Sequence, residues 1–361
     1  MSGDDLVIAL VILSRFGVPL LIPRFPLPAI AAALALDAVD GTILEKLTGS
    51  EPPGYQGYDK ALDIYYLAVA YVSTMRNWRH LTAFHTSRFL FYLRLVVVAA
   101  FEISGARWLL IVFPNVFEYF FIWYEALRIR WNPIKFTAAH VLVAAAAIWV
   151  FIKLPQEWFV HIAQLDFTDT VSNHPWLWGV MAVGVVILEV LRRRYVRFLG
   201  PADWSTTFAV DKHLARQPLP KERPVERIFS WTLAEKIALA SLVSIIFLKV
   251  LELQASTIEL VVAVTVVVIA NSTLTHWMSL HGHNWRWLTL EFLVMAVVNF
   301  GALLIYIGLR SSFDAELETG AAFFNVTVFT LILTLFDRYR HMGSALEHGA
   351  ALELRRLRQS A

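Results

Sequence analysis

Cysteine is absent from the 361 residues. That absence removes disulfides, thiolate nucleophiles and cysteine-based metal sites together, and leaves the compartment open. Charge is scarce as well: Asp, Glu, Lys and Arg make up 17% of the chain against 58% hydrophobic residues, with a mean hydropathy of +0.58. The formal net charge is only +2, so the basic surplus that bulk nucleic-acid binding requires is missing. What the chain has instead is a series of long apolar runs and many aromatics, 13 Trp and 11 Tyr, which fit the interfacial belts of a polytopic membrane protein. The N-terminus carries Asp4 and Asp5 before its apolar run and no small-residue cleavage pattern, so it reads as a retained first span.

Apolar segments of crossing or near-crossing length lie at 5–22, 27–41, 59–75, 83–103, 106–127, 133–153, 174–196, 231–252, 256–275, 286–309 and 319–337. They predict an all-α protein of about eleven transmembrane helices, since backbone groups in lipid must bond within their own segment. Pro23, Pro26 and Pro28 break the first helix from the second, and Pro52, Pro53 and Gly54 turn the second into the third. Residues 1–154 read as an N-terminal six-helix bundle and 155–361 as a second membrane unit of five helices. The basic polar loop at 192–230, opened by Arg192, Arg193, Arg194 and Arg197, reads as cytoplasmic. Counting back from it puts the 42–58 loop on the opposite side. The tail after 340 reads as an amphipathic interfacial helix.

Four acids flank the turn between the second and third segments. Asp37 and Asp40 are three apart and Asp59 and Asp63 four apart, so each pair projects from one face of its helix. Adjacent antiparallel helices can then aim all four carboxylates at one spot. Such a concentration of negative charge in low dielectric demands compensation, which a hard divalent cation such as Mg²⁺ or Mn²⁺ supplies best. The competing reading takes each acid as a cap or a helix-terminus charge. Four at this spacing favour a metal site.

These residues resemble the signature of the CDP-alcohol phosphatidyltransferases, D-x2-D-G-x2-A-R-x8-G-x3-D-x3-D, at the junction of the second and third membrane helices. The match runs through Asp37, Asp40, Gly41, Gly54, Asp59 and Asp63, within residues 1 to about 154, and Arg15 is similar to a basic residue of the family's first helix. Leu44 and Glu45 stand where the family has Ala-Arg, and one extra residue separates Gly54 from Asp59. The resemblance implies a transferase of phospholipid biosynthesis, acting on membrane lipids in a bacterial cytoplasmic membrane. It would move a phosphatidyl or similar phosphoalcohol group from a CDP-linked lipid donor to an alcohol acceptor, releasing CMP. It further implies metal held by Asp37, Asp40, Asp59 and Asp63, with Asp63 as general base, and nucleotide approach at Gly41 and Gly54. A homodimer is left open as its assembly.

Arg88 and Arg94 in the fourth span are candidates for a lipid or acceptor phosphate, with snorkelling to the interface as the alternative. His276, His281 and His283 form a cluster with no acid in the same loop, which reads as interfacial rather than metal-binding. Glu118, Glu125, Glu189, Glu259 and Glu291, in or at the ends of spans, keep open a non-catalytic alternative: a transporter, or a degenerate relative that has lost nucleotide binding.

Overall fold

The computed structural model describes residues 3–48, 55–158, 176–214, 231–250 and 319–360, with 261, 264–269, 271–273, 289–290, 292–301 and 304 between the last two. Among the described residues it is all-helical, without strands. Gly54, Glu259, Glu291 and the three histidines at 276, 281 and 283 lie outside them.

Helix α1 (Gly3–Gly17) passes through a 3₁₀ turn at Val18–Leu21 into α2 (Pro26–Thr48). The prolines mark this break as expected, because none of them can donate to a continuing helix. Then come α3 (Tyr55–Asn77), α4 (Leu81–Ser104), α5 (Trp108–Val112) and α6 (Val116–Arg128). Their ends are chemically marked. His80 accepts from the Ala83 amide at 3.2 Å at the start of α4, and Gly105 closes it at φ 67°, a left-handed value that glycine adopts without strain. Asn115 caps α6. Helix α7 (Ala138–Ala147) continues through a π-helical turn at Ile148–Lys153 into α8 (Leu154–Glu157). Further along the chain lie α9 (Leu177–Leu199), α10 (Asp211–Leu214), α11 (Trp231–Val250) and α12 (Thr319–Ser360), with helical residues also between α11 and α12.

Among the described residues, three helical stretches are long and apolar enough to cross a membrane: Pro26–Thr48, Trp108–Arg128 and Ala138–Glu157. In the first and third only 28% and 22% of the most apolar window is buried, so most of those side chains face outward, as a lipid-facing helix requires. Helix α3 shows the opposite pattern. From Ala61 to Val72 every residue but Asp63 is buried, which makes α3 the central helix, enclosed by α2, α4, α11 and α12.

Two sequence expectations change. Helix α2 does not end at residue 41 but runs on to Thr48, because Leu44 is fully buried and rewards a further turn; Asp37 and Asp40 are therefore interior helix residues. The tail is not a separate surface helix. It continues α12, and Tyr339, Met342 and Leu346 pack on the main core. Buried charges hold α12 in place: Arg340 Nε lies 3.0 Å from Glu235 of α11, and Lys236 Nζ lies 2.6 Å from Asp337. Glu235 also accepts from the Tyr71 hydroxyl of α3 at 2.5 Å. Helices α11 and α12 thus share one hydrophobic core with α2, α3, α4 and α6.

The turns at one end of the bundle are tied together. The Val210 amide donates to Arg24 O, the Asp203 amide to Arg130 O, Asn77 Nδ2 to Pro23 O, and Arg128 Nη1 to Asn77 O. Arg76 pairs with Asp211 and Lys135 with Asp203. This end therefore collects Arg24, Arg76, Arg79, Arg128, Arg130, Lys135 and Lys212, with Arg197 just before it.

Asp203 clamps this end, since it also accepts the Asn132 amide at 2.7 Å. Hydrogen bonding to Lys135 and to that amide holds its carboxyl below the ordinary aspartate range. A depressed folded-state value adds stability above the unfolded value, near pH 4, and loses it as pH falls through the folded one. Asp203→Asn is accordingly expected to lower thermal stability slightly at pH 7, with the difference from wild type vanishing on acidification below about pH 4 in parallel melts.

Candidate functional site

Arg15 sits in the last turn of α1, where a cation is favoured by the helix dipole. Its neighbour fixes its placement: the Phe16 ring stacks on Tyr65 at 4.9 Å, and the Tyr65 hydroxyl donates to Phe16 O at 2.9 Å. The arginine is thereby directed between α2 and α3, and its side chain is only 3% exposed.

All four acids converge on it. Arg15 Nη2 donates to Asp37 Oδ1 at 2.5 Å and to Asp63 Oδ1 at 2.7 Å, and Nη1 donates to Asp40 Oδ2 and Asp59 Oδ1. The spacings of three and four residues do what they promise, bringing two carboxylates from each helix to one point. One guanidinium against four carboxylates leaves a formal charge of −3 when all are ionised.

The four acids are not equivalent. Asp40 is buried and also accepts the Gly41 amide at 2.6 Å, whereas the side chains of Asp37, Asp59 and Asp63 keep 30%, 36% and 38% of their exposure. Asp37, Asp59 and Asp63 each offer a carboxylate oxygen within 4.8 Å of the other two. These oxygens are hard donors of the kind Mg²⁺ or Mn²⁺ takes, and their mutual spacing is that of a group that could hold a metal ion.

Behind Asp63, one helical turn along α3, the Tyr66 hydroxyl donates to Glu118 Oε2 at 2.8 Å, and Asn115 Nδ2 donates to the same oxygen at 2.8 Å. Arg94 lies near enough to act electrostatically on Asp63, Glu118 and Glu157, and its Nε is buried without a hydrogen-bond acceptor. Lys153 meets Gln156 at 3.0 Å and lies over the Tyr119 ring at 4.5 Å.

Tyr66, Asn115 and Lys153 were not anticipated from the sequence. Only Tyr66 carried a usable signal, being three residues from Asp63 on the same helix face. Arg88 and Arg94 part company: Arg88 Nη1 lies 2.9 Å from Glu347 of α12 and Nη2 contacts His85 at 2.8 Å, which commits it to the α12 side. The six-residue spacing turns the two arginines to different faces of α4. Glu45 is exposed on α2 and has no part in the carboxylate cluster. Glu125 is buried against Trp78 and Arg128, and Glu189 pairs with Arg192 and Arg193 on the surface of α9. No protein-family model, curated protein or solved structure matches the chain.

Proposed function

We propose that this chain is a divalent-metal-dependent phosphotransferase of the CDP-alcohol type, embedded in the cytoplasmic membrane through about eleven spans. It would transfer a phosphatidyl or similar phosphoalcohol group to an alcohol and release CMP. The observation that carries this reading is the meeting of three part-exposed carboxylates, Asp37, Asp59 and Asp63, beside buried Asp40. Bound Mg²⁺ or Mn²⁺ would supply charge neutralisation at the donor diphosphate. The chain's own residues supply position and proton transfer. Asp37, Asp40 and Asp59 hold the charge balance, Asp63 on the open side accepts the acceptor hydroxyl's proton, and Arg94 offers an unmatched donor to a phosphate oxygen. Incubating the purified protein with CDP-diacylglycerol, Mn²⁺ and a panel of alcohols is expected to release CMP. The absence of CMP with every acceptor would overturn the proposal.

A second reading, a relative that keeps the acids without nucleotide chemistry, is favoured by the bundle's charge asymmetry. Along α3, Asp63 precedes Asn77 at the basic end by about 21 Å of helix axis. Basic residues mark cytoplasmic ends, so this bias directs the carboxylates away from cytoplasmic CDP-linked donors. With no native cysteine, single substitutions report sidedness cleanly. On this second reading a membrane-impermeant maleimide labels Thr48→Cys but not Phe208→Cys in intact cells, whereas the phosphotransferase reading requires the reverse. The reversed pattern would remove the second reading's support.

A further inference from the structure

Arg15 occupies the same carboxylates that a cation would need. Each of the four acids gives it an oxygen, and Asp37, Asp59 and Asp63 are also the three whose oxygens lie within 4.8 Å of one another. A metal ion and the guanidinium would thus draw on the same three carboxylates and compete for their negative charge. Their charges would also repel at contact distance.

We infer that Arg15 is a resident counter-ion that closes the carboxylate centre, and that a divalent cation loads only by displacing its guanidinium. This rests on the metal reading of the four acids. It adds that α1 controls access to them. The positions of the partners support a displaceable role: Asp37, Asp59 and Asp63 are open to solvent while Arg15 is buried beneath them, so an ion approaching from outside meets the carboxylates first. A long, flexible side chain can then withdraw while Phe16 and Tyr65 keep the end of α1 docked on α3.

Competition has a sign opposite to support. Were Arg15 needed to build a metal site, its removal would weaken binding; as a competitor, its removal strengthens binding. The full chain, purified in detergent, is titrated with Mn²⁺ and free ion is read from its electron paramagnetic resonance signal. Arg15→Gln is expected to bind Mn²⁺ at least about tenfold more tightly than wild type, since a unit charge beside the site is removed. Asp37→Asn in the Arg15→Gln background should reverse the gain, tying it to this centre.

Arg15→Lys keeps the charge but offers one ammonium in place of a two-nitrogen fork, so its affinity should fall between the two. It serves as the test if Arg15→Gln does not purify as a monodisperse protein. Equal or weaker Mn²⁺ binding in the variants than in wild type overturns the counter-ion role while leaving the metal reading intact. No specific binding in wild type or in any variant overturns both.

Discussion

Glu125→Ala is expected to lower stability by about 3–5 kcal/mol, among the largest effects of any single substitution outside the carboxylate centre. Glu125 is 3% exposed and accepts the Trp78 indole N–H at 2.7 Å while pairing with buried Arg128 one turn along α6. Trp78 is fully buried and stacks on Tyr124 at 3.9 Å, so the pair lies under an aromatic layer that excludes water. Removing the carboxylate leaves the Arg128 side chain, among the described residues, with the Asn77 carbonyl at 2.8 Å, and leaves an indole donor without its acceptor. Glu125→Gln keeps an acceptor for Trp78 and should lose less. Thermal or denaturant unfolding in one detergent measures both; a loss under about 1 kcal/mol for Glu125→Ala would mean that Arg128 finds water or another partner. The same network joins α3 to α6 at the basic end, so exposure of that end to protease is expected to rise with the loss.

The carboxylate quartet was legible in the sequence because its logic is local. Residues three or four apart on a helix share a face, and a proline-bounded turn returns the next helix alongside. Arg15 could be noticed but not placed, since its position depends on Phe16 meeting Tyr65 across 49 residues. Helix ends were less legible. Hydropathy falls after Asp37, yet α2 persists to Thr48 because Leu44 finds a buried slot, a tertiary reward that no local pattern carries. The tail shows the same principle. Arg340 and Glu347 look like surface charge in an amphipathic stretch, yet Arg340 is buried against Glu235 of α11 and Glu347 is part-buried against Arg88 of α4. Helix α3, counted from the sequence as the segment 59–75, is not among the described stretches long and apolar enough to cross, and residues 61–72 are instead buried at the centre of the bundle except at Asp63.

Asp63→Asn is expected to reduce CMP release by about 10²–10⁴-fold, the range lost when a positioned general base is removed. The amide is nearly isosteric and can still offer an oxygen to an ion, but it cannot take a proton at neutral pH. Asp59→Asn removes one ligand charge of the same three-oxygen group and leaves Asp63 in place. The two variants should therefore separate in a Mn²⁺ titration of the rate. Excess metal restores much of the activity of Asp59→Asn by mass action, whereas Asp63→Asn stays slow at saturation because its defect lies in the proton transfer. Neighbouring groups do not substitute readily for the lost base: the nearby Glu118 is buried and accepts from both Tyr66 and Asn115, and Asp37 must still meet the cation. Rescue of Asp63→Asn by Mn²⁺ to near wild-type rates would reassign Asp63 as a ligand only. The base would then have to be sought in Asp37 or Asp59, the other part-exposed acids of the group.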